Sequence, residues 1–549
     1  MELTSSCRRA LVAGLALTTA LTVAGCKKEK ASTAVGQTGT PGAAVDLPDN
    51  PALTYAPADT AYAFATFKPV PLDYWKRMGD AVGPFWEQIK KTTPQDDEGM
   101  RWWKAIGDEI GPSFDAKRLE ELGISTSGRV VIYGLGPYPV FRMEIASGDR
   151  LFAAVQRIAE KAGHPLGAPT EKDGRRYWII GEPDISILIV IAKGELVASF
   201  APRATIDQKL GLMLGTEKPA KSLDMAVFRD LAKRDGFSAY GVGYAETKQI
   251  VNLVAADAPA PGLTPDCRAA IDGVTAKVPR LAFGYADIGK NEIGGGFVLE
   301  LTPDVVAEVK KVATSLPGVE RLVKEKPVFG MAAAFDLDQA RALAPRLAGL
   351  LRDLGTRCQD SDLTDAAGEV EKAAGKPLPP FLTGLRGGTA AVFDFAMGPG
   401  GPTKIDGYAA LRVGDAQALV KELATSLPPV AQLGLTPDGK AKALPAGQIP
   451  FPGHVAMVKD GLAVALGANS QAAAEGVLTE KPTPAPLLLF RYDYSRIFDV
   501  MTGVIPSMPQ QEQAQMEAMR GMMKAFGMAT FSISIDDRGA VTWFSIELK

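Results

Sequence analysis

Two histidines, His164 and His454, are the only imidazoles in 549 residues. His164 stands before Pro165 just after a helical stretch and reads as a solvated loop residue. His454 begins an apolar run that reads as a strand. A hydrolase elbow would set Gly-x-Ser-x-Gly between strand and helix. The nearest string, Gly236-Phe237-Ser238-Ala239-Tyr240, lacks the last glycine. Gly294-Gly295-Gly296 falls in a hairpin strand, without the strand, glycine loop and helix order of a phosphate site. No catalytic set, no cofactor and no zinc-like spacing is expected. One acidic string is a weak calcium candidate: Asp360, Asp362, Thr364 and Glu371 fall at positions 1, 3, 5 and 12 of a calcium loop. Its position 6 is Asp365 where the turn needs Gly, and its apolar position 8 is Ala367. The other reading is a polar loop with Thr364 capping a helix that starts near Asp365.

Large apolar side chains give a second set of candidates. Trp75, Met78, Val82, Phe85, Trp86 and Ile89 follow helical spacing, and Trp102-Trp103 follow on a second short helix. Met508, Met516, Met519, Met522, Met523 and Met528 crowd one segment at spacings of three and four. Such faces either seal a sheet or line a cavity, and thioethers adapt to varied partners or bind Cu(I). Trp75, Trp86, Trp102, Trp103, Met516, Met519 and Met523 are therefore the residues of a ligand face, if the chain carries one.

The elements that must position these residues repeat. Gly128–Gly163 reads strand, turn, strand, helix, and so does Gly388–Ser426, with Gly148-Asp149 over Gly414-Asp415 at an offset of 266. The next hairpin keeps that offset, Lys193 over Lys459. Two further pieces match in order. The string from Gly236 resembles that from Pro486, and Leu281–Leu301 resembles Ala529–Leu548 with Glu300 over Glu547. Strands of five to eight residues carry Val, Ile, Phe and Tyr between Gly and Asp turns. Thr302-Pro303-Asp304 and Thr264-Pro265-Asp266 each supply a helix cap, a first-turn proline and a first-turn acid. The expected fold is α+β in two homologous halves, 51–318 and 326–549, joined by a connector at 319–325. Each half is expected to be a mostly antiparallel sheet with helices packed on one face.

The first residues carry no such element. Arg8-Arg9 precede a short apolar run from Ala10 to Ala24, which ends in Leu21-Thr22-Val23-Ala24-Gly25-Cys26. A basic start and a short apolar core make a secretory signal, too short to span a bilayer. The ending resembles the lipobox of bacterial lipoproteins, with Val23 where Leu is commoner. That resemblance implies cleavage between Gly25 and Cys26, a diacylglyceryl thioether on Cys26, and an acyl chain such as palmitate on its amino group. It also implies an envelope location. Lys27 after the cysteine does not favour retention at the inner membrane, so the outer membrane is expected. Residues 26–50 are rich in Ala, Gly, Thr and Pro and read as a flexible tether. The layout after the tether, opening on Tyr55-Ala56-Pro57-Ala58-Asp59-Thr60-Ala61-Tyr62, resembles a group of uncharacterised bacterial envelope lipoproteins.

Charge and cysteines narrow the partners. The formal charge is −3. Without Glu2, Arg8 and Arg9 it becomes −4, and no basic run offers a nucleic-acid surface. No later apolar stretch approaches the 18 residues of a spanning helix. With Cys7 in the leader and Cys26 lipidated, Cys267 and Cys358 remain, and export to an oxidising compartment favours a bridge between them. The expected function is a membrane-anchored, non-catalytic envelope protein with a binding or scaffolding role toward another envelope protein. The alternatives are a carrier or receptor for an apolar ligand such as lipid, and an enzyme of another class.

Overall fold

A computed structural model describes residues 45–92, 98–111, 115–256, 264–289, 291–398, 401–426, 428–445, 450–501 and 509–549. Among them nineteen strands form one sheet in which every neighbouring pair is antiparallel. From one edge the order is Thr170–Lys172, Arg175–Glu182, Ile185–Ile191, Glu195–Ala201, Tyr138–Glu144, Val130–Leu135, Tyr62–Ala65, Val242–Glu246, Arg280–Gly289 and Glu292–Glu300. The sheet then continues through Gly539–Leu548, Phe526–Ile535, Leu488–Asp493, Phe329–Ala334, Gly387–Gly398, Gly401–Arg412, Gly461–Leu466, Gly453–Val458 and Lys442–Ala443. Read outward from the middle, the nine strands on one side follow the same connectivity as the first nine on the other, and Thr170–Lys172 has no counterpart.

Residues opposite each other in an antiparallel pair share a face. On one face Ala63, Tyr133, Val140, Tyr244, Ala282 and Val298 are buried with Ile206, Met213, Phe228 and Leu231 from the helices Arg203–Gln208, Leu210–Leu214 and Met225–Asp235. That core also takes in Val541 and Trp543 from the far end of the sequence. The same face continues as Ala332, Ala391, Tyr408, Ala463 and Leu489, covered by the helices Val319–Lys324 and Ser470–Thr479.

Two arginines rise from the sheet to hold these covering helices. Arg142, fully buried, donates to the carbonyls of Leu212 and Met213 at 3.0 and 2.8 Å and pairs with Glu195 at 2.9 Å. Arg491 donates to the carbonyls of Leu322 and Val323, both at 2.6 Å. Helix C-termini leave carbonyls without intrahelical partners, and a cation satisfies both the hydrogen bonds and the dipole.

The opposite face is covered too, which corrects the expectation of helices on one face. Helix Gly148–Lys161 sets Leu151 on Trp178 and Ile191. Helix Ala416–Ser426 sets Leu419 on Val455, Met457 and Leu462. Tyr74 and Ala81 of helix Leu72–Thr92 meet Ile288, Ile293, Phe526, Ile546 and Leu548. The physical reason is that the strands carry apolar residues at both parities, so a single helical layer leaves half of them in water.

A second difference concerns the register of the repeated strings. Strand passes to helix at Glu246–Thr247 and again at Asp493–Tyr494, 247 residues apart. The strings matched from Gly236 and Pro486 stand 250 apart and are three residues out of step with these elements.

Candidate apolar site at the sheet seam

The middle of the sheet is the pairing of Glu292–Glu300 with Gly539–Leu548. Glu292 stands opposite Glu547, Gly296 opposite Trp543, and Glu300 opposite Gly539. On the face away from the large core, phenylalanines form a row across this seam. Phe64 and Phe283 lie nearly parallel, 6.1 Å apart with 7° between planes. Phe283 is 6.3 Å from Phe297, and Phe297 is 6.5 Å from Phe544. Phe531 stands opposite Phe544, and Phe490 opposite Phe531. All six are half-buried.

Glycines make the row possible. Gly243 sits between Phe64 and Phe283, and a Cβ there would lie 2.5 Å from the Phe283 ring. A Cβ on Gly295 would lie 2.9 Å from the Phe544 ring. The rings therefore lie over bare backbone and shield it, a known way of stabilising glycine in strands.

Two helix contacts cross the seam. Helix Gln510–Lys524 packs on Leu72–Thr92, and helix Pro265–Lys277 packs on Leu337–Cys358. The first contact brings Met522 and Met523 with Trp75 and Met78 onto the cluster of Tyr74, Ile293 and Ile546. Burial there raises the phenols of Tyr74 and Tyr285 above the ordinary tyrosine range. The second contact carries the disulfide Cys267–Cys358, with S–S 2.07 Å and Cα–Cα 4.4 Å. Thr264 positions Cys267 by accepting from its N–H at 3.2 Å.

The remaining sequence candidates scatter. Met516 and Met519 are half-buried on helix Gln510–Lys524, and Met528 is buried in the following strand. Trp102 stacks on His164, centroids 6.0 Å apart at 12°. Trp86 and Trp103 lie on the helices Leu72–Thr92 and Glu98–Ile110, but their side chains fall outside the described residues, as do Cys7, Gly25, Cys26 and Met508. His454 Nδ1 is 2.9 Å from Ser470 Oγ.

The acidic string does not form a calcium loop. Asp360 caps the helix Ser361–Gly375, accepting from the N–H groups of Asp362 and Leu363 at 2.9 and 3.2 Å. Thr364 donates to the Asp360 carbonyl at 3.2 Å, and Glu371 is held by Arg352 at 2.8 and 2.6 Å. Asp362, Thr364 and Glu371 are helical, so their oxygens cannot wrap one ion as a loop would. Among the described residues no group of three or more His, Cys, Asp or Glu could hold a metal.

Two polar features were not legible from spacing. Glu109, with its side chain only 4% exposed, is ringed by Lys161 at 2.7 Å, Arg157 at 3.2 Å and Arg118 at 3.4 Å. Hydrogen bonding to Arg157, with Lys161 adding to it, holds its carboxyl down to about 2 against the penalty of burial. A cleft of about 410 Å³ lies between the hairpin of Gly387–Arg412 and helix Tyr494–Met501, lined by Asp394, Phe395, Arg496 and Asp499 among others. The phenylalanine row had a faint sequence signal, the spacing of Phe283 and Phe297 about one hairpin.

No protein-family model and no curated protein matches this chain. Among solved structures, crystal form III of TP0453 aligns at 11% identity and a TM-score of 0.22, covering 49% of this chain and 88% of that one.

Proposed function

We propose that this is a lipid-anchored bacterial envelope protein, non-catalytic, which binds an apolar ligand such as the acyl chains of a lipid on the phenylalanine row at its seam. The observation that carries the reading is the row itself: six half-buried rings side by side, on the face where helices Gln510–Lys524 and Leu72–Thr92 meet across the seam. Contiguous apolar surface on a folded protein marks interaction sites or ligand grooves. The lipobox-like string Leu21–Cys26 supports the anchor on Cys26, and Lys27 after it favours a place on the outer membrane.

We also infer that the two sides descend from one duplicated unit. The matched strings put Glu300 over Glu547, an offset of 247, and the residue 247 beyond Gly296 is Trp543, its partner across the seam. A duplicated strand pairing antiparallel with its own copy has this self-complementary register. In the outer hairpins Ile191 pairs with Leu196 and Met457 with Leu462, both at the offset of 266.

The test is mass spectrometry of detergent-extracted native protein with its co-purifying molecules identified. Bound lipid near one per chain is expected, and it should fall at least several-fold in Phe297→Asn/Phe544→Asn. Empty protein that also fails to bind a fluorescent fatty acid would sink the ligand reading. A second reading, docking to another envelope protein, is favoured by Leu347 and Leu350, one helical turn apart and 50% and 48% exposed on helix Leu337–Cys358. Capture of a stoichiometric polypeptide that is lost in Leu347→Ser/Leu350→Ser would favour it.

A further inference from the structure

The two most exposed of the large apolar side chains on strands lie together. Ile185 is 70% exposed and Phe200 is 57% exposed, and Ile187, opposite Phe200, is 47% exposed. Ile180, opposite Ile187, extends the patch as a half-buried neighbour. All four side chains are on the face that carries the phenylalanine row, nearer the first edge of the sheet, because Phe64, Ile132, Phe141, Ala198 and Ile189 connect them partner by partner. Helix Gly148–Lys161 covers Ile191 at the other end of these strands and leaves this end bare. A soluble surface rarely keeps β-branched and aromatic side chains this exposed in one contiguous patch.

The length of chain before the described residues limits the occupant. Eighteen residues, 27–44, separate Cys26 from Val45. Whatever their conformation, they cannot span more than about 65 Å. The chain then enters the fold at one end of the strands, where Asn50 donates to the Thr66 carbonyl at 2.8 Å. The patch is at the other end, only about 20 Å away along strands of six residues. A bilayer that holds Cys26 is therefore always within reach of the patch, at a high effective concentration. The charges around the patch are mixed: Glu182 and Asp184 on one side, and Arg203, paired with Asp207, on the other. The apolar side chains, not a basic surface, would provide the contact.

We infer that Ile185, Ile187 and Phe200 form a membrane-docking surface that seats the sheet against the bilayer to which the chain's own anchor is attached. The inference rests on the lipid-anchor reading of Cys26. Insertion of Ile and Phe to the depth of the headgroup boundary is the usual apolar component of interfacial binding. It fixes the orientation of the protein and turns the phenylalanine face toward the lipid.

The test uses the full lipidated chain with its disulfide intact, carrying Ile187→Cys or Phe200→Cys labelled with an environment-sensitive dye. Lys372→Cys on helix Ser361–Gly375 serves as the control. The probe is phosphatidylcholine vesicles with and without doxyl-labelled lipid, and vesicle attachment is checked by flotation. Labels at 187 and 200 should be quenched about threefold more than the label at 372, in keeping with shallow insertion. Equal quenching at all three sites on floating vesicles overturns the docking surface and leaves the anchor standing. A chain that does not float, with an unmodified Cys26 by mass, overturns the anchor and the docking surface together.

Discussion

Single residues here act mostly by holding helix ends and pairing buried charge. Arg142 satisfies two carbonyls, Glu195 and the Tyr133 hydroxyl at once, and lies over the Tyr55 ring at 4.2 Å. Arg142→Ala would leave those carbonyls and Glu195 without their partner, and should lower stability by about 3–5 kcal/mol in urea unfolding. Glu109 gives a pH dependence. Its folded-state carboxyl titrates near 2, below the ordinary value, so its contribution is present above about pH 4.5 and is lost as pH falls toward 2. Glu109→Gln should cost about 1–3 kcal/mol at pH 7 and much less at pH 2, measured by denaturant midpoint, with the partly exposed cations setting the lower end. Neither residue was legible in the sequence. Glu109 meets Arg157 and Lys161 some fifty positions later, and no local spacing reports that. Cys267 and Cys358 were legible only because the other two cysteines had other assignments.

At the scale of elements, local signals worked where capping chemistry is local. Thr264-Pro265-Asp266 reads directly as the start of helix Pro265–Lys277. The acidic string read as a polar loop with Thr364 capping a helix near Asp365, or more weakly as a calcium loop; the helix starts earlier, at Ser361, because the Asp360 carboxylate accepts from the Asp362 and Leu363 N–H groups and so takes the cap. The second helical layer was missed because the periodicity of a strand covered on both sides does not say what covers it. The two seam-crossing helix contacts differ in kind, one covalent and one built from Met and Trp. Cys267→Ser/Cys358→Ser should therefore lower stability by about 2–5 kcal/mol, for a bridge spanning 91 positions, while leaving the sheet's circular dichroism unchanged. Gly243→Ala should also destabilise, by about 1–3 kcal/mol, because the added methyl meets the Phe283 ring and an Ala63 carbonyl at 2.8 Å. Thermal midpoints would show both effects.

For the whole molecule, the decisive feature is that the core of the first side is completed by residues from the end of the chain. Val541 and Trp543 are buried with residues of the first side, so a fragment ending at residue 318 would lack them. Trp543→Ala should cost about 3–5 kcal/mol, as removal of a large buried aromatic side chain does. A co-expressed pair of fragments, 45–318 and 319–549, should purify as one complex, whereas each alone should aggregate; two independently soluble fragments would contradict this. The α+β class and the antiparallel sheet were legible, because short Val-, Ile-, Phe- and Tyr-rich strands alternate with Gly and Asp turns. The sequence could not tell that all these strands would share one continuous sheet, because the seam pairs Glu292–Glu300 with a strand more than two hundred residues further along and no local spacing reports that.

The seam also has a consequence for biogenesis. Glu292–Glu300 must wait for a partner more than two hundred residues further along, and until then it is an open, glycine-rich edge. The Gly539–Leu548 strand of a second chain offers this edge the same pairing as the chain's own. Exchange of that strand between molecules would give a swapped dimer with every hydrogen bond of the monomer retained. Such a dimer should form when the protein refolds at high concentration, and the bridge between Cys267 and Cys358 would lock in whichever form closed first.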